Sequence, residues 1–463
     1  MNHHTDYTMN FDLIVTLILA FIMLVFSVLN GIFILWPLIV VMLLLIIIFS
    51  RRGIPFQVLI QMAVRGAQQS FSVLKILLLI GAVTAIWMAA GTVPAMVYYG
   101  LQIINPHYFI LLTFLLTSFV SILLGTSFGT VSTIGLALMI MASQTTINPH
   151  IIAGAIIAGA YVGDTTNVTL LLTQGYANRD RCSPMSSSAN LIATITKTHL
   201  YTNIRNMLKT GLLTLLISSV IYGILSILNP VEITDYTILN EIQNQFNIQP
   251  FLLLPAVAIL FCAICKIDVK LSLLISFGIA SVIALSYQQF TLLNLAQFII
   301  LGFQLSSSNP LSSILIGGGI FSMIKVSAIV LTSTAIAEIL AENNTFNALN
   351  HKLQNIQTQR GLFISTTLIG TLTAMFGCTQ TIAILLTQKL VQPQYKLTFP
   401  NHTQLAIDLE NTVVVISPLI PWNIAGLVPA TILMTDFGFI PYAFYLYLLP
   451  LINLIHLQKL DYK

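Results

Sequence analysis

Charge is what this sequence lacks. Lys, Arg, Asp and Glu together make up 7% of its 463 residues, where an ordinary soluble domain carries about 25%. Eighteen basic and 14 acidic residues cannot solvate the surface of a soluble chain of this length. A soluble enzyme and a disordered scaffold are excluded, and the net charge of +4 gives no support to a nucleic-acid partner. Cysteine is also scarce. Cys182, Cys262, Cys265 and Cys378 form no disulfide framework. The lone CxxC at Cys262 and Cys265 has no second pair to complete a zinc site, so it reads as small apolar helix filling. A basic start is missing too: Asp6 and Asp12 precede the first apolar run without a Lys or Arg. A secretory signal peptide needs a basic start, so the first hydrophobic segment is expected to be retained.

What the sequence has is apolar surface: 57% of residues, with a mean hydropathy of +0.92. That composition suits a chain whose outer face meets lipid, with about 20 apolar residues per spanning helix. Strong apolar runs at 11–29, 32–50, 71–90, 107–124, 210–228, 250–265, 271–286, 313–340, 361–376, 412–434 and 441–457 predict an all-α polytopic membrane protein with about 10–12 transmembrane helices. Shorter Gly/Ser/Thr-rich apolar stretches lie between them, at 125–143, 150–163, 183–196, 291–319 and 377–391. Interrupted backbone at membrane depth survives only when buried in protein or lining a cavity, so these stretches mark the interior. Basic residues cluster at Arg51, Arg52, Arg65 and Lys75, and again at Lys197, Arg205 and Lys209. The segment 91–106 has none, and 229–249 carries Glu232, Asp235 and Glu241 without a base. The positive-inside rule then puts the basic segments and the N-terminus in the cytoplasm. It divides the chain into a first half (1–228), an external connection (229–249) and a second half (250–463).

The acids sort by position. Asp6, Asp12, Glu232, Asp235, Glu241, Asp268, Asp436 and Asp461 fall in tails or connections, leaving Asp164, Asp180, Glu338, Glu342, Asp408 and Glu410 in or beside apolar segments. An intramembrane carboxylate costs several kcal/mol and marks a functional site by default. Two stretches, "LLGTSFGTVSTIGLALM" (123–139) and "AMFGCTQTIAILLTQ" (374–388), each set a Gly/Thr/Ser/Cys cluster inside an apolar run. Asp164 follows Gly129 by 35 residues and Asp408 follows Gly377 by 31. This pattern predicts two repeats of inverted topology with broken helices bracketing a midplane site. Small hard cations take oxygen ligands, which carboxylates, hydroxyls and the carbonyls of an unwound helix supply. Desolvation disfavours a bare carboxylate, so a proton and a cation compete for it.

The stretches "LLGTSFGTVSTIGLALM" (123–139), "AGAIIAGAYVGD" (153–164), "RCSPMSSSANLIA" (181–193), "GGGIFSM" (317–323), "FGCTQTIAILLT" (376–387) and "DLENTVVVISPLIPW" (408–422) resemble the NhaC family of Na⁺/H⁺ antiporters. The resemblance covers the chain nearly end to end. It implies a multi-pass carrier of the bacterial cytoplasmic (inner) membrane that exchanges Na⁺ for H⁺, is not an enzyme and has no cofactor beyond the transported ions. Its partners are Na⁺, H⁺ and membrane lipid, with no nucleic acid, and a homodimer is compatible with it. Some relatives exchange malate and lactate. That is the alternative function, for which Arg181 beside the serines would hold a substrate carboxylate in a bidentate fork. The chain departs from the family pattern in one place, where 16 residues (165–180) separate "AGAYVGD" from "RCSPM". Either Asp164 or Asp180 therefore corresponds to the family's aspartate.

The expected cation ligands are Asp164 or Asp180 with Asp408 as the metal-binding pair, then Glu410, Ser183, Ser186, Asn190, Thr126, Ser127 and Thr379, with Ser187, Ser188, Thr130, Gln380 and Thr381 beside them. Each has a plainer role available: a loop charge paired with Arg179 or Arg181, an N-cap for Asp408, or hydroxyl packing between helices. Glu338 and Glu342 share a helix face that reaches water. Lys325 either pairs with a site carboxylate or snorkels to the interface. Gly154 and Ala158 permit a close helix crossing. "GTSFG" (125–129) matches a nucleophile-elbow pattern centred on Ser127, but the strand–turn–helix context that pattern needs is absent.

Overall fold

The computed structural model describes residues 11–103, 106–142, 145, 147–165, 186–230, 243, 245–265, 267, 269–304, 317–343, 356, 358–399 and 402–460. The described residues form helices and no named strand. In the first half these are α1 (Phe11–Leu29), α2 (Leu35–Arg51), α3 (Phe56–Gln69), α4 (Phe71–Ala89), α5 (Thr92–Ile103), α6 (Phe109–Leu124), α7 (Ser127–Thr130), α8 (Leu136–Ala142), α9 (Pro149–Thr165), α10 (Ser187–Thr196) and α11 (Leu200–Leu228). The second half comprises α12 (Leu254–Ile264), α13 (Val269–Ser286), α14 (Leu292–Leu301), α15 (Ile320–Glu342), α16 (Gln359–Gly377), α17 (Gln380–Thr398), α18 (Thr403–Leu409), α19 (Ile424–Ile432) and α20 (Phe444–Leu460). The all-α polytopic expectation stands. Thr202–Leu228 and Ile320–Glu342 are each long and apolar enough to cross a membrane alone. Among the described residues, two bent helix pairs meet the same test together, and nine apolar helices have 10–17 residues. Short, broken helices of this kind persist in lipid only where neighbours satisfy the freed backbone.

The outer faces are apolar, as lipid exposure requires: Leu212, Leu216, Val220 and Ile227 on α11 and Leu368 on α16 are all exposed. Lys325 lies on the exposed side of α15. Glu342, at the end of that helix, pairs with Arg65 of α3 at 2.9 Å, as a helix end reaching water would. Residues 91–106, which have no Lys or Arg, are not a plain connection. They carry α5, in which Thr92, Val93, Ala95 and Val97 are buried, because small and β-branched side chains pack without needing charge or length. The close approach expected at Gly154 forms against the backbone of Tyr442, which a Cβ there would enter. A second close crossing lies further along α9: Gly159 and Gly163 face Thr117 and Ser121 of α6, and a Cβ at either glycine would enter the α6 backbone.

Helix pairing runs crosswise between the two halves. α2 and α3 of the first half pack on α15, while α13 and α14 of the second pack on α4. Likewise α10 packs on α17 and α7 on α19, and α11 packs on α18 and α9 on α20. Left-handed backbone positions occur at helix ends in both halves. Gln289 (φ 61°) follows Gly53 (φ 89°) by 236 residues, Cys378 (φ 51°) follows Gly125 (φ 65°) by 253, and Met434 (φ 55°) follows Lys197 (φ 54°) by 237. A non-glycine residue with positive φ is uncommon, so three such matches at element ends are informative.

Candidate functional site

Two helix breaks organise the interior, and both are built the same way. α6 ends on left-handed Gly125, and extended Thr126 follows, its hydroxyl accepting the Gly129 N–H at 3.2 Å. α16 ends before left-handed Cys378, and extended Thr379 follows, accepting the Ile382 N–H at 3.2 Å. In each case the threonine caps a new helix and satisfies one of its orphan donors. Thr126 and Thr379, expected as pathway residues, thus serve as N-caps here. After the first break the helix widens into a π turn, Val131–Gly135. Its hydroxyls bond locally: Thr130 to Thr126 O at 2.9 Å, Ser132 to Gly129 O at 3.1 Å and Thr133 to Gly129 O at 2.8 Å. Ser127 is buried in the first turn of α7. Thr381 is exposed.

The second break is tied to other helices. Asn423 Nδ2 donates to Ala374 O at 2.8 Å, Trp422 Nε1 to Met375 O at 2.7 Å and Ile424 N to Cys378 O at 2.9 Å. These bonds take up carbonyls that the end of α16 leaves unpaired. Asn423 also caps α19, its side chain accepting from Ala425 N at 3.0 Å. α19 in turn lies against α7, the 131–135 π turn and α9, and Tyr161 of α9 donates to Ala425 O at 2.8 Å. The start of α19 therefore joins the two breaks.

Beside this junction runs the acidic segment. α18 passes into a second π turn, Glu410–Val414, and then a short 3₁₀ turn, Ser417–Leu419. A π turn moves the hydrogen bonds to i→i+5 and often marks functional sites. Side chains take up its carbonyls: Thr412 donates to Asp408 O at 2.6 Å, Ser417 to Val413 O at 2.7 Å and Gln380 Nε2 to Val414 O at 2.9 Å. Asp408 is not the N-cap of α18, a position held by His402. It lies in the helix and is 2% exposed, with Glu410 at 1% and Asn411 at 2%. Both Asp408 oxygens are engaged: Gln404 Nε2 donates to Oδ1 at 2.8 Å and the Tyr395 hydroxyl to Oδ2 at 2.6 Å. Tyr395 also touches Thr366 Oγ1 at 2.9 Å. Asn411 reaches α11 by donating to Thr210 at 3.2 Å.

The remaining expected residues divide. Ser186 caps α10 through Ala189 N at 3.2 Å, and Asn190 donates to Ser186 O at 2.8 Å. α10 packs on α17, α18 and the 410–414 turn, so the helix that carries Asn190 adjoins the acidic segment. Asp164 is the penultimate residue of α9, and α9 touches that same turn. Asp180, Arg181 and Ser183 lie outside the described residues. Among the described residues no three His, Cys, Asp or Glu side chains gather to hold a metal, so a cation here would draw mostly on neutral oxygens, as the hydroxyl and carbonyl supply allows. Tyr395, Gln404 and Thr366 were not foreseen. Gln404 could have been, since it sits four residues before Asp408 on one helix face. Tyr395 lies in the polar run "QPQYKL" (392–397), which looks like a loop but continues α17 past Pro393.

Comparison with known proteins gives a consistent result. A family model described as the Na⁺/H⁺ antiporter family matches residues 179–457. The chain is 28% identical to an uncharacterized Na⁺/H⁺ antiporter of Haemophilus influenzae, over 80% of this chain and 78% of that protein. It is 27% identical to the Na⁺/H⁺ antiporter NhaC of Alkalihalophilus pseudofirmus, over 82% and 80%. It is also 25% identical to the malate-2H⁺/Na⁺-lactate antiporter of Bacillus subtilis, over 85% and 82%. The family match spans more than half of the chain and includes the whole acidic segment and the second break: this multi-pass protein belongs to the Na⁺/H⁺ antiporter family.

Proposed function

We propose that this protein exchanges Na⁺ for H⁺ across the bacterial cytoplasmic membrane, with Asp408 as a carboxylate that binds the two in turn. The observation that carries the reading is Asp408 itself, buried at 2% exposure in a helix that widens into a π turn beside a broken helix. A bare carboxylate is costly in so dry a place. It crosses between the two sides neutralised, by a proton or by a cation, and two occupants of one site cannot travel together. That exclusion is what couples the fluxes. Asp164 or Asp180 would join Asp408 as a metal-binding carboxylate, with Glu410, Asn190 and the hydroxyls of the two breaks supplying further oxygens.

The halves 1–228 and 250–463, joined by 229–249, would be related copies of opposite orientation. The crosswise helix pairs and recurring left-handed positions support this. So does the basic character of both Lys197–Lys209 and Lys389–Lys396, which the positive-inside rule assigns to the cytoplasm together with the N-terminus. Malate–lactate exchange is the second reading, favoured by the Bacillus subtilis relative and by Arg181.

In everted vesicles, Na⁺ should dissipate a preformed pH gradient. K⁺, malate and lactate run in parallel separate the readings. A gradient untouched by Na⁺ across pH 6.5–9 would remove the first one.

A further inference from the structure

The hydroxyl that closes Asp408 has two oxygen neighbours and only one proton. Tyr395 Oη lies 2.6 Å from Asp408 Oδ2 and 2.9 Å from Thr366 Oγ1, and Thr366 Oγ1 lies 2.8 Å from Leu362 O. The three side chains come from α17, α18 and α16, and all are buried, with Tyr395 1% and Thr366 0% exposed. A tyrosine hydroxyl donates once and accepts through its lone pairs, so it points at one neighbour at a time. Facing a bare carboxylate it donates there, because a bond to a charged acceptor is the stronger, and Thr366 donates to it in turn. A cation at Oδ2 reverses this order. The Tyr395 proton then points at Thr366 Oγ1, the Thr366 proton points at the Leu362 carbonyl, and the tyrosine oxygen faces the cation with a lone pair. Two O–H bonds rotate, and none breaks.

We propose that Tyr395 is a neutral oxygen ligand for the transported Na⁺ and that Thr366 is its positioning residue, the acceptor that lets the tyrosine turn its proton away from the ion. The inference rests on Asp408 being the ion-binding carboxylate. It predicts a hydroxyl requirement at position 366, a residue that touches no ion. Valine there has the shape of threonine but cannot accept the tyrosine proton, so Tyr395 would keep its proton aimed at Asp408 and oppose the cation.

The test measures the Na⁺ concentration giving half-maximal dissipation of the pH gradient in everted vesicles, with the amount of each variant in the membrane measured by immunoblot. Thr366→Val should raise that concentration about tenfold, the scale of one hydrogen bond to a charged site, with the maximal rate held within about twofold. Thr366→Ser should restore the wild-type value, and Tyr395→Phe should raise it at least as far as Thr366→Val does. A wild-type value in Thr366→Val overturns the proposal. So does equal impairment in Thr366→Ser, which would mean shape rather than a hydroxyl, or a lowered value in Tyr395→Phe, which would make the hydroxyl a competitor of Na⁺. Asp408→Asn separates the two levels. Exchange retained there removes the Asp408 reading and this inference with it, whereas exchange lost there beside an unaffected Thr366→Val removes only the hydroxyl pair.

Discussion

The two helix breaks share a backbone and differ in everything attached to it. At both, a left-handed residue precedes an extended threonine that caps the next helix. Around Gly125 the hydroxyls of Thr130, Ser132 and Thr133 bond to carbonyls within four residues of themselves. Around Cys378 the bonds are long-range: Asn423 and Trp422 reach back to α16, and Gln380 reaches forward to the 410–414 turn. The π turn differs in the same way. In the first half it directly follows the break, whereas in the second it lies one helix later, beside Asp408. The difference teaches that one local device has been put to two uses. At the first break the hydroxyls bond within their own segment. The second break is wired into the acidic segment.

The comparison can be broken from the largest effect downward. Asp408→Asn should bring Na⁺-driven dissipation of the pH gradient to background, while Thr130→Val at the first break leaves most of it; equal losses would erase the asymmetry. Asn423→Ala should lower stability by about 2 kcal/mol, because it removes a cap and strands the buried Ala374 carbonyl. A melting curve of the purified protein in detergent reads this loss. The two caps should fall together below it. Thr126→Ala and Thr379→Ala are each expected to cost about 1 kcal/mol, and a much larger loss at one would mean that it does more than cap. The left-handed residues should matter no more than the caps. Gly125→Ala forces a Cβ into left-handed backbone and should cost about 1 kcal/mol. Cys378→Gly relieves backbone strain but frees the unfolded chain and empties a buried side-chain site, so it should cost about 1 kcal/mol.

The fold class was legible because a scarcity of charge and long apolar runs have one physical resolution, a lipid-facing helical bundle. The breaks were legible because Gly, Thr and Ser interrupt those runs where water cannot repair the backbone. Asp408 was legible as one of few acids amid apolar residues. Its surroundings were not. Tyr395 sits thirteen residues earlier on another helix, and Thr366 lies a further 29 residues back; only the antiparallel return of α17 against α16 brings them together.

The crosswise pairing of helices has a consequence for how the protein is made. α3 and its main neighbour, α15, are separated by more than 250 residues, so at 5–20 residues per second α3 waits roughly 10–50 s after synthesis before its partner exists. Insertion and packing must then be separate stages, as in the two-stage description of membrane assembly. During that wait Arg65 has no Glu342, and the Gly66 face that will receive the α15 backbone lies against lipid. The first half is thus a nascent chain that is inserted but unassembled, and it should be the form most exposed to membrane proteases. Its lifetime would be set by the ribosome's speed through the second half.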